Sequence, residues 1–218
     1  KQNMSKYIRS ITVMAMLFIL MACSNTRKMK SDGWISLFDG KSLDGWMASE
    51  KPGTFSVEDG SIKVAGPRSH LFYNGNVMDH KFKNFEFKAQ VMTKPGSNSG
   101  IYFHTAYQQE GFPSKGFEVQ VNNSHTDWKR TGSLYDIKDT KEVYVKDNVW
   151  FTEYIRVEGK HVVVKINDTV VTDWTQPEDF VPAEGEEGRI ISDGTFALQG
   201  HDPKSVVFFK DIMVKPLP

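Results

Sequence analysis

The chain has 218 residues, of which 27 are Lys or Arg and 27 are Asp or Glu, so its formal net charge at pH 7 is zero. This balance excludes a global electrostatic attraction to nucleic acid. Cys23 is the only cysteine, which excludes an intrachain disulfide and a zinc site built from thiolates.

The N-terminal segment is typical of an exported lipoprotein. Positively charged residues precede a mostly apolar run at residues 11–22, and no acidic residue occurs before Asp32. The run is too short to cross a bilayer as a helix, which needs about 20 residues. It has the length of a signal-peptide h-region. It ends in Leu-Met-Ala-Cys at residues 20–23, which resembles the lipobox of bacterial lipoproteins.

This resemblance implies that Cys23 is diacylated and becomes the new N-terminus, which would anchor the protein to the membrane through lipid. The alternative is an ordinary secretory peptide with an incidental cysteine. We predict a signal peptide at residues 1–22, a lipidated tether at residues 23–33 and one domain at residues 34–218. The protein would be exported and lipid-anchored to the bacterial envelope. The lack of acid in residues 24–30 favours the periplasmic face over the cell surface.

Short alternating runs follow the tether and are separated by Gly, Asn, Asp and Pro. Residues 55–64 alternate about an Asp-Gly pair, which predicts a β-hairpin. In residues 82–92 the apolar side chains share one face, as in a strand with one buried face. Further strands are predicted at residues 97–104, 117–121, 154–171 (with turns at Gly159 and Asn167), 195–199 and 206–214.

Helical periodicity is nearly absent after Cys23, since no segment keeps an apolar stripe for three turns. Many short strands at regular spacing predict an all-β fold. A two-sheet antiparallel β-sandwich of the jelly-roll type suits the length better than a small closed barrel. The long irregular stretches are candidates for functional loops, and they lie at residues 104–116, 122–131, 136–149 and 174–194.

One predicted strand carries a row of polar side chains. Alternation over residues 116–122 places Glu118, Gln120 and Asn122 on one face. A single row of this kind is more often solvated surface than a binding site. It could also line the concave face of a sandwich, where sugar hydroxyls would find polar partners.

The preceding strand strengthens the second interpretation. Alternation places Tyr102 and His104 on one face of residues 97–104. If the two strands pair, these side chains would converge with Glu118 and Gln120. Such a set could supply a general acid, a general base and hydrogen-bond donors, and a histidine could also bind a metal.

Other histidines and aromatic residues carry weaker signals. His201 follows a segment where alternation fails, so we expect it at a strand end or in a loop. His125 and His161 are interpreted as surface residues, and His70 and His80 are left undecided. Trp128, between charged neighbours in a long loop, is the best candidate for an exposed aromatic that stacks on a sugar.

Five motifs occur in an order that resembles the DUF1080 family, also called the 3-keto-disaccharide hydrolase domain. The resemblance covers residues 34–216. It implies a concanavalin A-like jelly roll and an exported lipoprotein. The motifs are LFDGKSLDGW at residues 37–46, GSNSGIYFH at 96–104, GFEVQVN at 116–122, TGSLY at 131–135 and GTFALQGH at 194–201.

The resemblance implies cleavage of 3-keto-glycosides, which are sugars oxidised at C3. The ketone acidifies the hydrogen on C2, a base removes it, the enolate expels the C1 oxygen, and water then adds at C1. Such a site needs a base, an acid for the leaving oxygen, and a group or a metal that stabilises the enolate oxygen.

The motifs then imply roles for individual residues. His104 or His201 would be the base or a metal ligand, and Glu118 would be a proton carrier or a metal ligand. A divalent metal held by His104 and Glu118 is therefore one option, and the cofactor is otherwise unknown. Some relatives carry Asp at position 122 or 123, where this chain has Asn, and an amide cannot act as a base. The expected substrate contacts are Asn98, Tyr102, Gln120, Asn122, Trp128, Tyr135 and Gln199.

Two other functions compete with the enzyme. A non-catalytic carbohydrate-binding module of the lectin type could use the same fold, because fold does not determine function. A structural surface protein would have no concave polar pocket. Clustered titratable groups favour the enzyme. The expected partners are a carbohydrate (a 3-keto-glycoside or another glycan) and the membrane through the N-terminal lipid, with no nucleic acid.

Replacing Cys23 with Ala should abolish lipid attachment, because the thiol is the acceptor of the lipid. In a bacterium that processes lipoproteins, the wild-type chain should incorporate an alkynyl fatty acid and fractionate with membranes. The Cys23→Ala chain should be unlabelled. An exported wild-type chain that carries no label would instead indicate an ordinary secretory peptide.

Overall fold

The computed structural model describes residues 32–218. The predicted signal peptide, Cys23 and residues 24–31 of the predicted tether lie outside the described residues. No helix in the described part is both long and apolar enough to cross a membrane. Its strands are β1 (Ile35–Ser36), β2 (Trp46–Ala48), β3 (Phe55–Glu58), β4 (Ser61–Ala65), β5 (Ser69–Tyr73), β6 (Phe85–Thr93), β7 (Ser99–Thr105), β8 (Phe117–Val121), β9 (Phe151–Glu158), β10 (His161–Ile166), β11 (Thr169–Thr175), β12 (Thr195–Gly200) and β13 (Val206–Pro216), with short 3-10 helices at Pro52–Thr54 and Val77–His80.

The strands form two antiparallel sheets. The larger has eight strands in the order β11-β10-β9-β6-β13-β4-β3, with β1 also paired to β13. The smaller has five strands in the order β2-β5-β12-β7-β8. This confirms the prediction of an all-β, two-sheet antiparallel sandwich.

The predicted hairpin is present as β3 and β4. Glu58 pairs with Ser61 across the two-residue turn. Both turn residues, Asp59 and Gly60, have positive φ, at 48° and 75°. Positive φ at both central positions is the requirement of the type I′ turn, which Asp-Gly meets at low cost.

Aromatic side chains fill the space between the sheets. In β6, alternate residues are buried from Phe85 to Thr93, as the sequence pattern predicts. Phe196 of β12 is fully buried and meets Phe82, Phe85 and Phe87 at ring-centroid distances of 4.7, 4.9 and 4.6 Å. Truncating one such phenyl ring to Ala typically costs about 3–5 kcal/mol. The contacts of Phe196 with these three rings therefore hold the two sheets together.

The smaller sheet is buried on both faces. Every residue of β5, β7, β8 and β12 is buried. Because successive side chains point to opposite faces, only one face can pack against the larger sheet. Loops at residues 106–116, 122–150 and 176–194 contribute the side chains that border cavities on the other face, here called the concave face.

A β-bulge interrupts β7. Thr105 pairs with Thr195, and Tyr102 pairs with Ala197, so β7 has one more residue than β12 between these pairs. The extra residue is His104, whose φ is +54°. A bulge re-aims the side chains that follow it. The expectation that His104 and Tyr102 share a face is therefore wrong: His104 points to the side of Phe103, and its ring contacts Phe85.

One acidic side chain lies in the core. Glu153 is on the face of β9 that carries Phe151, Ile155 and Val157, and it is fully buried. Neither of its carboxyl oxygens has a hydrogen-bond partner among the described residues. Burial raises the pKa of Glu153 well above its usual value of 4.5. The carboxyl group of Glu153 is therefore protonated and neutral in the folded protein.

Replacing Glu153 with Met should raise the free energy of unfolding at neutral pH by about 1–3 kcal/mol, the cost of an unpartnered buried polar group. The folded protein keeps this proton at pH values where the unfolded chain has lost it. The contribution of Glu153 to wild-type stability should therefore fall as pH rises above about 4.5. Denaturant unfolding at several pH values measures both effects.

The matched control is Glu153→Gln, which keeps the shape and cannot ionise. It should lose the part of the pH dependence that comes from this residue and keep most of the desolvation cost. Equal pH dependence in Glu153→Gln and the wild type would contradict the assignment.

Candidate functional site

A cavity of about 300 Å³ lies on the concave face of the smaller sheet. Its floor is formed by Tyr102 of β7, Glu118 and Gln120 of β8, and Gln199 of β12. The three loops supply most of the walls, and Asn98 and His201 lie next to the ends of β7 and β12. The other lining residues are Asn98, Phe112, Pro113, Asp127, Tyr135, Asp136, Glu186, Arg189 and His201.

Strand register places three polar side chains in contact on the floor. Tyr102 pairs directly with Glu118, and Gln199 lies on the strand on the other side of β7. The Cβ atoms of directly opposed residues in an antiparallel pair lie about 4.5–5.5 Å apart. The Tyr102 hydroxyl donates to Glu118 Oε2 at 2.7 Å. Gln199 Nε2 donates to Glu118 Oε1 at 2.9 Å and to Tyr102 Oη at 3.2 Å.

Gly100 leaves the space that the Glu118 carboxyl occupies. Gly100 pairs with Gln120, so a side chain there would project from the concave face. A Cβ at this position would lie 2.2 Å from Glu118 Oε1. Any other residue at position 100 would displace the carboxyl group.

Burial makes Glu118 a proton carrier near neutral pH. The residue is 8% exposed. Burial raises the pKa of Glu118 to about 7, although the hydrogen bonds from Tyr102 and Gln199 and the charge of Arg189 lower it. Burial also raises the pKa of Tyr102 well above its usual value, and Glu118 adds to this effect, so the phenol stays protonated. A carboxyl group with a pKa near the working pH is suited to general acid–base chemistry.

Two amide oxygens on the floor lack partners. Gln120 Nε2 donates to Asn98 Oδ1 at 3.1 Å. Gln120 Oε1 and Gln199 Oε1 are buried and have no hydrogen-bond partner among the described residues. A buried acceptor without a donor costs about 1–3 kcal/mol. A ligand with hydroxyl groups would satisfy both oxygens.

Two histidines meet at one end of the cavity. His201 lines it, and its Nδ1 lies 3.0 Å from Asp202 Oδ2. The ring of His125 lies 5.7 Å from that of His201, and its Nδ1 lies 3.5 Å from Asn98 Nδ2. His125 is therefore turned inward and is not the plain surface residue that its flanking sequence indicated.

His70, left undecided by the sequence, lies on the concave face beside the cavity. It is fully buried, and neither ring nitrogen has a hydrogen-bond partner among the described residues. Its ring meets those of Tyr102 and Phe112 edge-on at 5.4 and 5.7 Å. Burial lowers the pKa of His70 to about 3, so the ring is neutral.

Charged groups from the loops complete the wall. Arg189 donates to the backbone oxygen of Tyr135 at 3.2 Å and forms an ion pair with Glu186 at 3.0 Å. Lys129 lies 3.9 Å above the Tyr135 ring and pairs with Asp136. Sequence reasoning did not identify Arg189, Asp127, Asp136 or Glu186. Arg189 and Asp127 lie in two of the long irregular stretches that the sequence marked as candidate functional loops, and this was the only feature that could have identified them.

Seven of the ten predicted site residues line the cavity, and three do not. His104 is held by its own contacts: its Nε2 lies 2.9 Å from the Lys83 backbone oxygen, and Ser192 N donates to its Nδ1 at 3.3 Å. Burial lowers the pKa of His104 to about 4. The cavity contains Asn98, Tyr102, Glu118, Gln120, Tyr135, Gln199 and His201.

Asn122 and Trp128 belong to the loop after β8. Asn122 Nδ2 donates to the backbone oxygens of Asp127 and Lys129 at 2.9 and 2.8 Å, and its Oδ1 accepts from His125 N at 2.8 Å. Asn122 therefore stabilises the loop, because its side-chain amide forms hydrogen bonds within the loop and not with a ligand. Trp128 is 56% exposed and lies outside the set of lining residues.

The residues present do not form the metal pair that the sequence allowed. His104 and Glu118 project to opposite sides of the sheet, so they cannot share an ion. Within residues 32–218, no group of three or more His, Asp or Glu side chains is arranged to hold a metal.

Comparison with known proteins identifies related sequences and folds. The family model described as the 3-keto-alpha-glucoside-1,2-lyase-like domain matches residues 33–215. A 3-keto-disaccharide hydrolase of Bacteroides thetaiotaomicron is 31% identical over 133 residues, which cover 49% of this chain and 46% of that protein. The match thus spans about half of either protein.

Two solved structures share the fold. A candidate glycosyl hydrolase of Parabacteroides distasonis superposes with a TM-score of 0.74 at 22% identity, covering 87% of this chain and 96% of that one. The carbohydrate-binding module CBM66 of Bacillus subtilis superposes with a TM-score of 0.57 at 14% identity, covering 78% and 95%. At these identities the likeness concerns the fold alone.

Replacing Tyr102 with Phe should raise the pKa of Glu118 further, because the carboxylate loses a donor. A hydrogen bond to a charged group contributes about 1.5–3 kcal/mol, which corresponds to about one to two pH units. Carbon-13 NMR of labelled Glu carboxyls, followed through a pH titration, measures this. Tyr154→Phe on the larger sheet is the matched control and should leave the pKa of Glu118 unchanged. Equal values in wild type and Tyr102→Phe would contradict the proposed hydrogen-bond network.

Proposed function

The chain belongs to the 3-keto-alpha-glucoside-1,2-lyase-like domain family, and we propose that it cleaves glycosides whose sugar carries a ketone at C3. The observation that carries this proposal is the Glu118 carboxyl. It is buried in a polar cavity, hydrogen-bonded through both oxygens, and has a pKa of about 7. The named activity of the Bacteroides relative supports the same substrate class.

The first half of the reaction is an elimination. The Glu118 carboxylate removes the proton from C2, and the electron pair of that C–H bond moves into an enolate on the C3 oxygen. The enolate then re-forms the ketone as a C1–C2 double bond forms and the C1–O bond breaks. The leaving oxygen takes a proton and departs as an alcohol.

The second half is a hydration. Water adds its oxygen to C1 and gives up one proton, which replaces the proton that the leaving oxygen took. The proton held by Glu118 returns to C2, so that the double bond is consumed and a free 3-keto sugar results. The sum of both halves is hydrolysis of the glycosidic bond. Glu118 ends in its starting state because the proton that it took from C2 is returned.

The other cavity residues have supporting roles in this proposal. Arg189 brings positive charge to the wall, which would stabilise the enolate oxygen as it becomes negative. His201 lies within the cavity as a donor for the leaving oxygen, and Asp202 orients its ring. The unpartnered oxygens of Gln120 and Gln199 accept hydrogen bonds from sugar hydroxyls.

The competing functions fit less of the site. A lectin-type binding module could use the same amide oxygens, but it has no need of a buried carboxyl group near its pKa. A purely structural surface protein was expected to lack a concave polar pocket, and the cavity argues against it. We further propose that the enzyme works in the bacterial envelope, anchored through Cys23, because of the apolar run and lipobox-like segment before it.

Replacing Glu118 with Gln should lower kcat on methyl 3-keto-glucoside by about 10²–10⁴-fold, the usual contribution of a general base. The wild type should not cleave methyl glucoside, whose C2 hydrogen is not acidified. Its kcat/KM should rise as pH increases through about 7, because the carboxylate is the reactive form.

Glu58→Gln is the matched control, since Glu58 is half exposed on the larger sheet and pairs with Lys63. It should retain wild-type rates. Wild-type rates in Glu118→Gln would overturn the assigned role. Tight binding of both glucosides without cleavage of either would instead favour the binding module.

A further inference from the structure

A second cavity, of about 200 Å³, lies on the same concave face and shares no lining residue with the first. We propose that it binds the leaving group of the glycoside, and that this group is an aromatic ring bearing a hydroxyl. The inference rests on the proposed function, because it assigns the second half of the same substrate. Its apolar walls are Met47, Phe72, Tyr73, Ala106 and Tyr107, and its polar lining residues are Asn74, His80, Lys81, Thr105, Lys115, Asp193 and Thr195.

The walls suit a flat apolar ring. Phe72 is 1% exposed, and its ring meets that of Tyr107 edge-on at 5.3 Å. Aromatic rings favour this geometry and offset stacking with a third ring. A second sugar ring would turn several hydroxyls toward these apolar side chains, where they would lose their hydrogen bonds to water. The apolar part of the lining, formed around Phe72 and Tyr107, therefore favours an aryl group over a sugar.

Thr105 supplies a buried hydroxyl to this cavity, whereas two other polar lining residues, Lys115 and Thr195, donate to backbone oxygens. Thr105 lines the cavity and is 1% exposed, and its hydroxyl has no hydrogen-bond partner among the described residues. The β7 bulge explains its position. Because His104 is the extra residue and points toward the larger sheet, Thr105 returns to the concave face that carries Tyr102. This buried, unpartnered hydroxyl calls for a polar group on the part of the ligand that reaches it.

Side chains that border the two cavities pack together, which places the cavities next to each other on the concave face. Phe72, Ala197 and Tyr102 pack together on successive strands β5, β12 and β7. Neighbouring strands lie about 4.8 Å apart, so Phe72 and Tyr102 are about 10 Å apart. Tyr102 borders the first cavity and Phe72 the second. The loop at residues 106–116 gives Phe112 to one cavity and Tyr107 to the other.

The first test compares benzyl 3-keto-glucoside with ethyl 3-keto-glucoside. Their leaving alcohols have similar acidity, so a difference in kcat/KM reports binding of the ring. The wild type should prefer the benzyl compound by about 10–100-fold, the gain expected for burying one phenyl group. Tyr107→Ala should reduce this preference to a few-fold. Tyr144→Ala, which removes a similarly exposed tyrosine outside both cavities, should keep it.

Thr105→Val tests the polar contact with a side chain of the same shape. It should lower kcat/KM for 4-hydroxybenzyl 3-keto-glucoside several-fold and leave the benzyl compound unchanged. A benzyl-to-ethyl ratio that Tyr107→Ala does not change would overturn the inference and leave the proposed function intact. A 3-keto-disaccharide that is cleaved faster than the benzyl compound, with a loss in Tyr107→Ala, would overturn the aryl assignment.

A binding measurement separates this inference from the reaction. 4-Hydroxybenzyl alcohol alone should bind the wild-type protein and shift the methyl NMR signal of Thr105, and Tyr107→Ala should weaken that binding. If no 3-keto-glycoside is cleaved but this binding is found, the proposed function fails and the ring site stands. If glycosides are cleaved and the alcohol causes no shift at Thr105, the ring site fails.

Discussion

The Glu118 carboxyl is held away from water on the concave face of the smaller sheet, and the site depends on that burial. Two donors, Tyr102 and Gln199, satisfy its oxygens, while Gly100 leaves the room that it needs. Burial without these donors would push the carboxyl fully to its neutral form. Burial with them leaves its pKa at about 7. The loops that cover the sheet thus determine the acid–base character of the floor.

A comparison with Glu153 shows why the hydrogen bonds matter. Both carboxyls are buried, and burial raises both pKa values. Among residues 32–218, Glu153 has no donor and borders neither cavity, so it stays neutral and only lowers stability. Glu118 has two donors and borders a cavity, so both protonation states are accessible near neutral pH. The contacts between Phe196 and the larger sheet contribute part of the stability that offsets such buried polar groups.

One extra residue in β7 determines which side chains of this strand lie on the concave face. The bulge keeps Tyr102 beside Glu118, directs His104 toward the larger sheet and returns Thr105 to the concave face. An unbroken strand would have placed His104 next to the floor and Thr105 in the core. The separation of a polar cavity from a more apolar one follows from this local change in register. The floor of the first cavity can then bind a sugar, while aromatic walls border the second.

The sequence by itself determined the all-β class, the hairpin at residues 55–64 and the polar row of Glu118 and Gln120. These depend on alternation and turn chemistry, which are local. Only the tertiary structure decided that loops bury this row, that His104 leaves it, and that Arg189 and Asp127 reach its wall. Bulges and loop contacts depend on residues far apart in the chain, so a short segment of the sequence cannot predict them. The anchor at Cys23 remains a prediction from sequence, because the described residues begin at Asp32.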